Sequence, residues 1–295
     1  LVRERNIRVS ESGTLLPFLL AHLAGTGRNK VKALLTHHQV RVDGQVVTRH
    51  DHPLQPGQRV SIANSDGPVR DNLQGVEILF EDADLLVIHK PGGLLSMAND
   101  NEREKTAYHA LTDFVRQQSP NQRVFIVHRL DKETSGVMVF ARSQAVQQAL
   151  QEAWKDAVVK RAYSAVVEGW VTPQTGTLKS WLKESRTQTM YVSPQQGDGQ
   201  LAITHYQVVQ ANRNFSLLDV RLQTGRKNQI RVHMQSIGHP VAGDNRYGAH
   251  SNPIGRLALH ARLLVLRHPV DGQILEFETP VPKSFLRVTS SGRDL

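Results

Sequence analysis

His128-Arg129-Leu130-Asp131-Lys132-Glu133-Thr134-Ser135-Gly136 stands between two apolar runs, 124–127 and 137–141. The runs read as strands, so the segment between them is a tight turn at a strand end, closed by Ser-Gly. On that turn Asp131 sits among basic neighbours, Arg129 and Lys132. Alone, such an aspartate reads as a turn or salt-bridge residue. Its surroundings decide the matter. Further strand-like runs cover 76–80, 85–89, 162–168, 217–222 and 258–266, and helical spacing covers 106–117, 143–155 and 229–237. Strands and helices mix without the regular alternation of a doubly wound fold. The pattern predicts an α+β domain with a large, mostly antiparallel or mixed sheet.

The chain has 295 residues, enough for one large domain and a smaller one. Its 39% hydrophobic and 21% charged residues are ordinary for a folded, soluble chain. No apolar run approaches the roughly 18 residues that a membrane-spanning helix needs. Residues 1–10 are charged and lack the apolar stretch of a secretory signal, which predicts a cytoplasmic protein. Cysteine is absent, so disulfides, thiolate nucleophiles and Cys-ligated metal centres are excluded.

Thirty-six Lys and Arg against 27 Asp and Glu give a net charge of +9. Residues 1–70 carry 10 basic and 5 acidic side chains and the rest 26 and 22, so more than half of the surplus lies in under a quarter of the chain. With no amphipathic membrane anchor in view, a polyanion is the predicted partner and RNA or DNA the class.

That basic stretch reads as a small mixed unit. Leu15, Leu16, Phe18, Leu19, Leu20 and Leu23 make an apolar helical face, broken by Ala24-Gly25-Thr26-Gly27. A second helix is predicted over 28–37, with Arg28, Lys30 and Lys32 outward. Asp43-Gly44 between two short apolar runs predicts a hairpin. Arg28-Asn29-Lys30-Val31, Val40-Arg41-Val42-Asp43-Gly44 and Leu54-Gln55-Pro56-Gly57-Gln58-Arg59-Val60 together resemble the S-four-like RNA-binding domain. The resemblance implies that Arg28, Lys30, Lys32 and Arg41 face folded RNA. His37, His38, His50 and His52 have no ligand spacing, and no metal site is expected. The expected division is 1–65 for this domain, a polar linker at 66–75, and a second domain at 76–295.

The turn that carries Asp131 resembles, nearly letter for letter, the active-site loop of pseudouridine synthases of the RluA type, with His128 where the sister RsuA type has glycine. The resemblance extends to residues 78–94, to Lys160-Arg161-Ala162-Tyr163 with the strand after it, to 222–233, to Gly243-Asp244-Asn245-Arg246-Tyr247-Gly248 and to 257–261. It implies an enzyme that isomerises uridine to pseudouridine in structured RNA, large-subunit ribosomal RNA first, with transfer RNA as the alternative target. Asp131 becomes the catalytic carboxylate, acting at the anomeric carbon or by promoting elimination to a glycal. Arg231 becomes its counter-charge, a guanidinium suited to bidentate pairing. Tyr163 stacks on the uracil or takes the proton from carbon 5. Arg129 fills the space of the flipped-out nucleotide. His128, Lys90, Lys160 and Arg226 are implied as further RNA contacts.

Asn228 stands where the resemblance commonly has histidine, yet its amide can still donate a hydrogen bond. Residues 96–106 are unusually polar and are expected to form a distinct substrate loop. Isomerisation needs neither redox equivalents nor an activated donor, so no cofactor and no metal are expected, and a monomer acting on RNA suffices. The competing class is a non-catalytic RNA-binding or ribosome-assembly factor, which would not need the carboxylate. A glycoside hydrolase would need a second catalytic acid, which these motifs do not offer.

Overall fold

Asp43 and Gly44 both take positive φ, 50° and 86°, closing a two-residue hairpin between strands β3 (Val40–Val42) and β4 (Gln45–Val46). That backbone twist matches the twist of the flanking strands. The computed structural model describes residues 4–23, 31–32, 34–35, 40–63, 73–99, 102 and 104–290. The chain divides into two units, Leu1–Asn72 and Leu73–Leu295.

In the first unit β1 (Glu4–Arg8), β6 (Arg59–Ala63), β3 and β4 form one antiparallel sheet, and β2 (Gly13–Thr14) pairs with β5 (Pro53–Leu54). Helix α1 (Leu15–His22) buries Leu15, Leu16 and Leu19 against Val31, Leu35, Val40, Val60 and Ile62. Lys32 is exposed, and half-buried Arg41 donates to the carbonyl of Gly44 at 3.3 Å. The expected contacts Arg28 and Lys30, together with His37, His38 and most of the 66–75 linker, lie outside the described residues.

The second unit is built on one sheet of eleven strands. In chain order these are β7 (Glu77–Glu81), β8 (Leu85–Lys90), β9 (Phe125–Ile126), β10 (Ser135–Ala141), β11 (Val158–Glu168) and β12 (Thr175–Glu184). Then follow β13 (Met190–Val192), β14 (Gln200–Ala211), β15 (Phe215–Leu222), β16 (Leu259–Arg267) and β17 (Ile274–Glu278). The spatial order is β13-β12-β14-β15-β11-β16-β10-β8-β7, with β17 beside β16 and β9 beside β10. Every pairing is antiparallel except β10 with β16, so the sheet is mixed and the class is α+β.

All seven residues of β10 are buried because helices cover both faces. Leu86, Ile88, Met138 and Phe140 pack on α2 (Ala107–Gln118) through Ala110, Leu111 and Val115. The alternate residues Leu85, Val87, Val137 and Val139 pack on α3 (Gln144–Glu152) and α4 (Trp154–Ala157). Thr106 and Ser143 cap α2 and α3 by accepting from the N–H of His109 and Val146. The continuous helix expected over 143–155 breaks at Ala153. On the other half of the sheet, α5 (Gln229–Ser236) and α6 (Lys283–Thr289) bury Ile230, Met234 and Phe285 against β11 and β15. Strands β12, β13, β14 and β17 were not expected. β12 lacks a clean inside–outside alternation, since most of its residues are half-exposed or exposed.

Candidate active site

The turn 128–134 is held from three directions through its own backbone. Ser96 Oγ donates to the carbonyl of Leu130 at 2.7 Å and receives the Leu130 N–H at 3.1 Å. Lys90 Nζ donates to the carbonyls of Lys132, Pro91 and Leu94 at 3.1, 2.9 and 2.7 Å. Arg256 Nη1 donates to Glu133 O at 3.3 Å. Gly136 closes the turn at φ 121°, with the backbone of Ala261 where a Cβ would lie, 2.1 Å from its carbonyl oxygen. Only glycine lets β10 run this close beside β16. The turn is therefore rigid before any substrate arrives.

Asp131 projects from this turn with its side chain 30% exposed. Its Oδ2 accepts two bonds, from Arg231 Nη1 at 2.9 Å and from Asn228 Nδ2 at 2.7 Å. Among the described residues no donor meets Oδ1. The carboxylate is thus pinned by one oxygen and presents the other.

Arg231 rises from the first turn of α5 but does not pair bidentately with Asp131, as the sequence had suggested. Its Nε and Nη2 go instead to Asp244 Oδ2 and Oδ1 at 2.6 and 2.8 Å, and Asp244 is almost wholly buried. Burial works against the guanidinium charge, while the bonds it donates to Asp244 and the negative charges of Asp244 and Asp131 more than offset it, so its pKa is raised. The ring of Tyr247 lies 4.8 Å beneath it. The Tyr247 hydroxyl donates to Asn228 Oδ1 at 3.1 Å, which turns the amide so that its NH2 faces Asp131. Asn228 itself sits in the left-handed region at φ 51°, a conformation that asparagine tolerates better than most residues. Neither Asp244 nor Tyr247 was singled out from the sequence beyond its motif.

Tyr163, on β11, lines the same cleft as Asp131, with Arg129, Thr134, Leu222, Arg226, Arg231 and Leu259. Its hydroxyl has no hydrogen-bond partner among the described residues. Burial raises its phenol above the ordinary value, with Arg161 opposing and Asp131 reinforcing. A phenol so shifted keeps its proton at neutral pH. Arg129 is exposed at the cleft and makes no hydrogen bond or ion pair among the described residues. Lys160 is exposed on β11. Arg226 is half-buried and spends its Nε on Leu201 O at 3.0 Å.

Two expected RNA contacts lie elsewhere. Lys90 is buried, its ammonium donates to the carbonyls of Pro91, Leu94 and Lys132, and burial lowers its pKa to about 8. His128 accepts the N–H of Val139 at 3.1 Å through Nε2 and packs on Trp154, with ring centroids 4.9 Å apart. Burial and then Arg161 lower its pKa to about 3, so it is neutral and offers RNA no charge. Both residues build the turn from behind.

Much of the 222–233 motif fastens α5 to the sheet. Gln229 accepts from Thr224 Oγ1 and the Arg226 N–H and donates to Ile203 O and Thr204 Oγ1, all within 3.0 Å. His233 bridges Thr204 and Ser180, each at 2.8 Å, and burial lowers its pKa to about 4.

Residues 84–236 match the RNA pseudouridylate synthase family. The RNA pseudouridine synthase YhcT of Bacillus subtilis is 31% identical over 283 residues, which cover 94% of this chain and 92% of the relative. The ribosomal large subunit pseudouridine synthase D of Vibrio cholerae is 33% identical over 309 residues, covering 98% and 94%. Among solved structures, human RNA pseudouridylate synthase domain containing 4 superposes with a TM-score of 0.58 at 26% identity, covering 71% of this chain and 90% of that one. The chain belongs to the RNA pseudouridylate synthase family, and within it to the RluA type. It is an RNA pseudouridine synthase, an isomerase that modifies RNA.

Proposed function

We propose that this enzyme isomerises a uridine of large-subunit ribosomal RNA, with Asp131 as its catalytic carboxylate. The observation that carries the reading is the asymmetry of that carboxylate. Oδ2 takes both charged and amide donors, while Oδ1 stands without one in a cleft shared with Tyr163. An oxygen free of donors is the better nucleophile or base, and an anchored partner oxygen keeps it aimed. Oδ1 then attacks the anomeric carbon or promotes elimination to a glycal. The freed uracil turns over and bonds to the sugar through carbon 5 as the ester to Oδ1 breaks or the proton returns to the glycal. Carbon 5 then gives up its proton to solvent and N1 takes one up.

Tyr163 keeps its proton, so it serves as a platform for the base and a hydrogen-bond donor to it. Arg129 takes the space vacated by the extruded nucleotide and meets phosphate, a contact that positions without specifying. Lys160 and Arg226 border the same path. The basic N-terminal unit, S-four-like in its sequence, anchors the folded RNA through Lys32 and Arg41 and through Arg28 and Lys30. No helix among the described residues is long and apolar enough to cross a membrane.

The target is tested with RNA from cells that have or lack the gene, treated with carbodiimide and reverse transcribed. Loss of one stop in large-subunit ribosomal RNA is the expected result. A stop lost from transfer RNA moves the substrate there, and an unchanged profile overturns the reading.

A further inference from the structure

We propose that the second unit carries a divalent transition-metal site, zinc by its ligand set, formed by Asp82, Asp84 and His268. The three residues offer donor atoms that all lie within 4.8 Å of one another. They come from two turns, the one between β7 and β8 and the one after β16.

His268 is the telling member. It is 6% exposed, and its buried Nε2 has no hydrogen-bond partner. Asp82 Oδ2 and Asp84 Oδ2 lie 3.3 and 3.9 Å from that nitrogen, within ion-pair range but without a hydrogen bond to it. An isolated imidazole nitrogen buried between two carboxylates is costly. A shared ion explains the arrangement. Metal–ligand bonds of about 2.0–2.1 Å at a tetrahedral angle place donor atoms roughly 3.4 Å apart, each off the other's axis.

The surroundings prepare the donors. With an ion on Nε2, His268 would carry its proton on Nδ1 and donate it to Asp271 Oδ1, 2.9 Å away, in place of accepting the Asp271 N–H at 3.3 Å. That carboxylate–histidine pairing is the usual support of a metal-bound imidazole. Asp82 Oδ1 accepts the N–H groups of Asp84 and Leu85 at 2.8 and 2.6 Å, which leaves Oδ2 for the ion. The Asp84 carboxylate makes no hydrogen bond among the described residues. Three carboxylates surround the one imidazole, and the nearby cation Arg142 is engaged by Glu81, Gln122 and the Asp82 carbonyl. One nitrogen ligand selects zinc or a similar ion over magnesium or calcium. Bound there, the ion would staple two distant turns together.

The test titrates zinc chloride, and magnesium chloride in parallel, into the metal-free full-length protein. Binding is followed by calorimetry and thermal unfolding, with cobalt(II) absorption as a second readout. Expected are one zinc per chain, a rise in Tm of roughly 5–10 °C at a hundredfold excess over Kd, and visible cobalt bands. Both His268→Gln and the milder Asp84→Asn should abolish these signals while activity on RNA persists. No zinc response in the wild type, an equal response in either folded variant, or an equal response to magnesium overturns the proposal.

Discussion

Asp244 grips Arg231 by two nitrogens, Nε and Nη2, and leaves only Nη1 to reach Asp131. The buried carboxylate therefore aims the guanidinium, and the guanidinium aims the half-buried one. Asp244 is a positioning residue, acting through Arg231. In Asp244→Asn the new NH2 faces a guanidinium N–H, donor against donor, and Arg231 turns away. A displacement of about 1 Å can cost about a hundredfold in rate, so kcat should fall by that order. KM should change little, because the residue lies behind the cleft. Steady-state kinetics on a defined RNA fragment measure the split. A variant with normal kcat leaves Asp244 with a folding role alone.

Asn228 supplies the second anchor of Asp131 Oδ2. Charge-assisted hydrogen bonds contribute about 1.5–3 kcal/mol, which corresponds to a loss of roughly ten- to a hundredfold in kcat on removal. Asn228→Gly isolates the bond, since glycine adopts the left-handed backbone without strain. Asn228→Ala adds backbone strain to the same loss, and its lower Tm separates the two contributions. Unchanged kcat in the glycine variant would assign the anchoring to Arg231 by itself.

Lys90 braces the turn that carries Arg129, and the two should behave oppositely. Lys90→Met leaves three carbonyls without their donor and should lower stability by about 2–5 kcal/mol, with the salt slope of RNA binding intact. Arg129→Ala should leave stability within about 0.5 kcal/mol and reduce the log–log salt slope by about one. Denaturant unfolding and filter binding at several salt concentrations decide between them. A stable, weakly binding Lys90→Met would return that lysine to the RNA surface.

Why the sequence assigns both of them to the RNA follows from what a motif records. Letters such as His89-Lys90-Pro91 place a cation near the turn but do not say on which side of the backbone it lies. The side is set by β8 pairing with β10, a contact between residues far apart in the chain. Asp131, Arg231 and Tyr163 were legible because each sits in a contiguous, ordered motif. Asn228 was half legible, as a donor of unknown target. The grip of Asp244 on Arg231 was hidden, since neither residue names its partner. His268 was the least legible, because its carboxylates come from the far end of the domain's sequence.

Buried, neutral histidines should make the fold acid-sensitive. His128 and His260 are lowered to about 3 and His233 to about 4, in each case chiefly by burial. Unfolded, each returns to about 6.5. Between those values the unfolded chain binds more protons, so stability is present above about pH 6.5 and is lost as pH falls toward 4. Tm measured from pH 7 to 4.5 should decline, and less steeply in His233→Gln. A flat profile in the wild type contradicts the burial of these rings.

Asp131→Asn tests the chemistry itself. The new amide has one oxygen, and the donors of Arg231 and Asn228 both seek an oxygen at the Oδ2 position. The side chain should therefore settle with its carbonyl toward them and its NH2 toward the cleft. Shape and packing should survive, while the free oxygen that faces the cleft is replaced by a group that can neither attack nor accept a proton. Product formation should drop by about a thousandfold or more, as expected when a nucleophile or base is removed, with RNA affinity within a few-fold of wild type. Residual turnover within about tenfold would mean that the rate does not depend on an oxygen at this position, and the asymmetry of the carboxylate would then have only structural meaning.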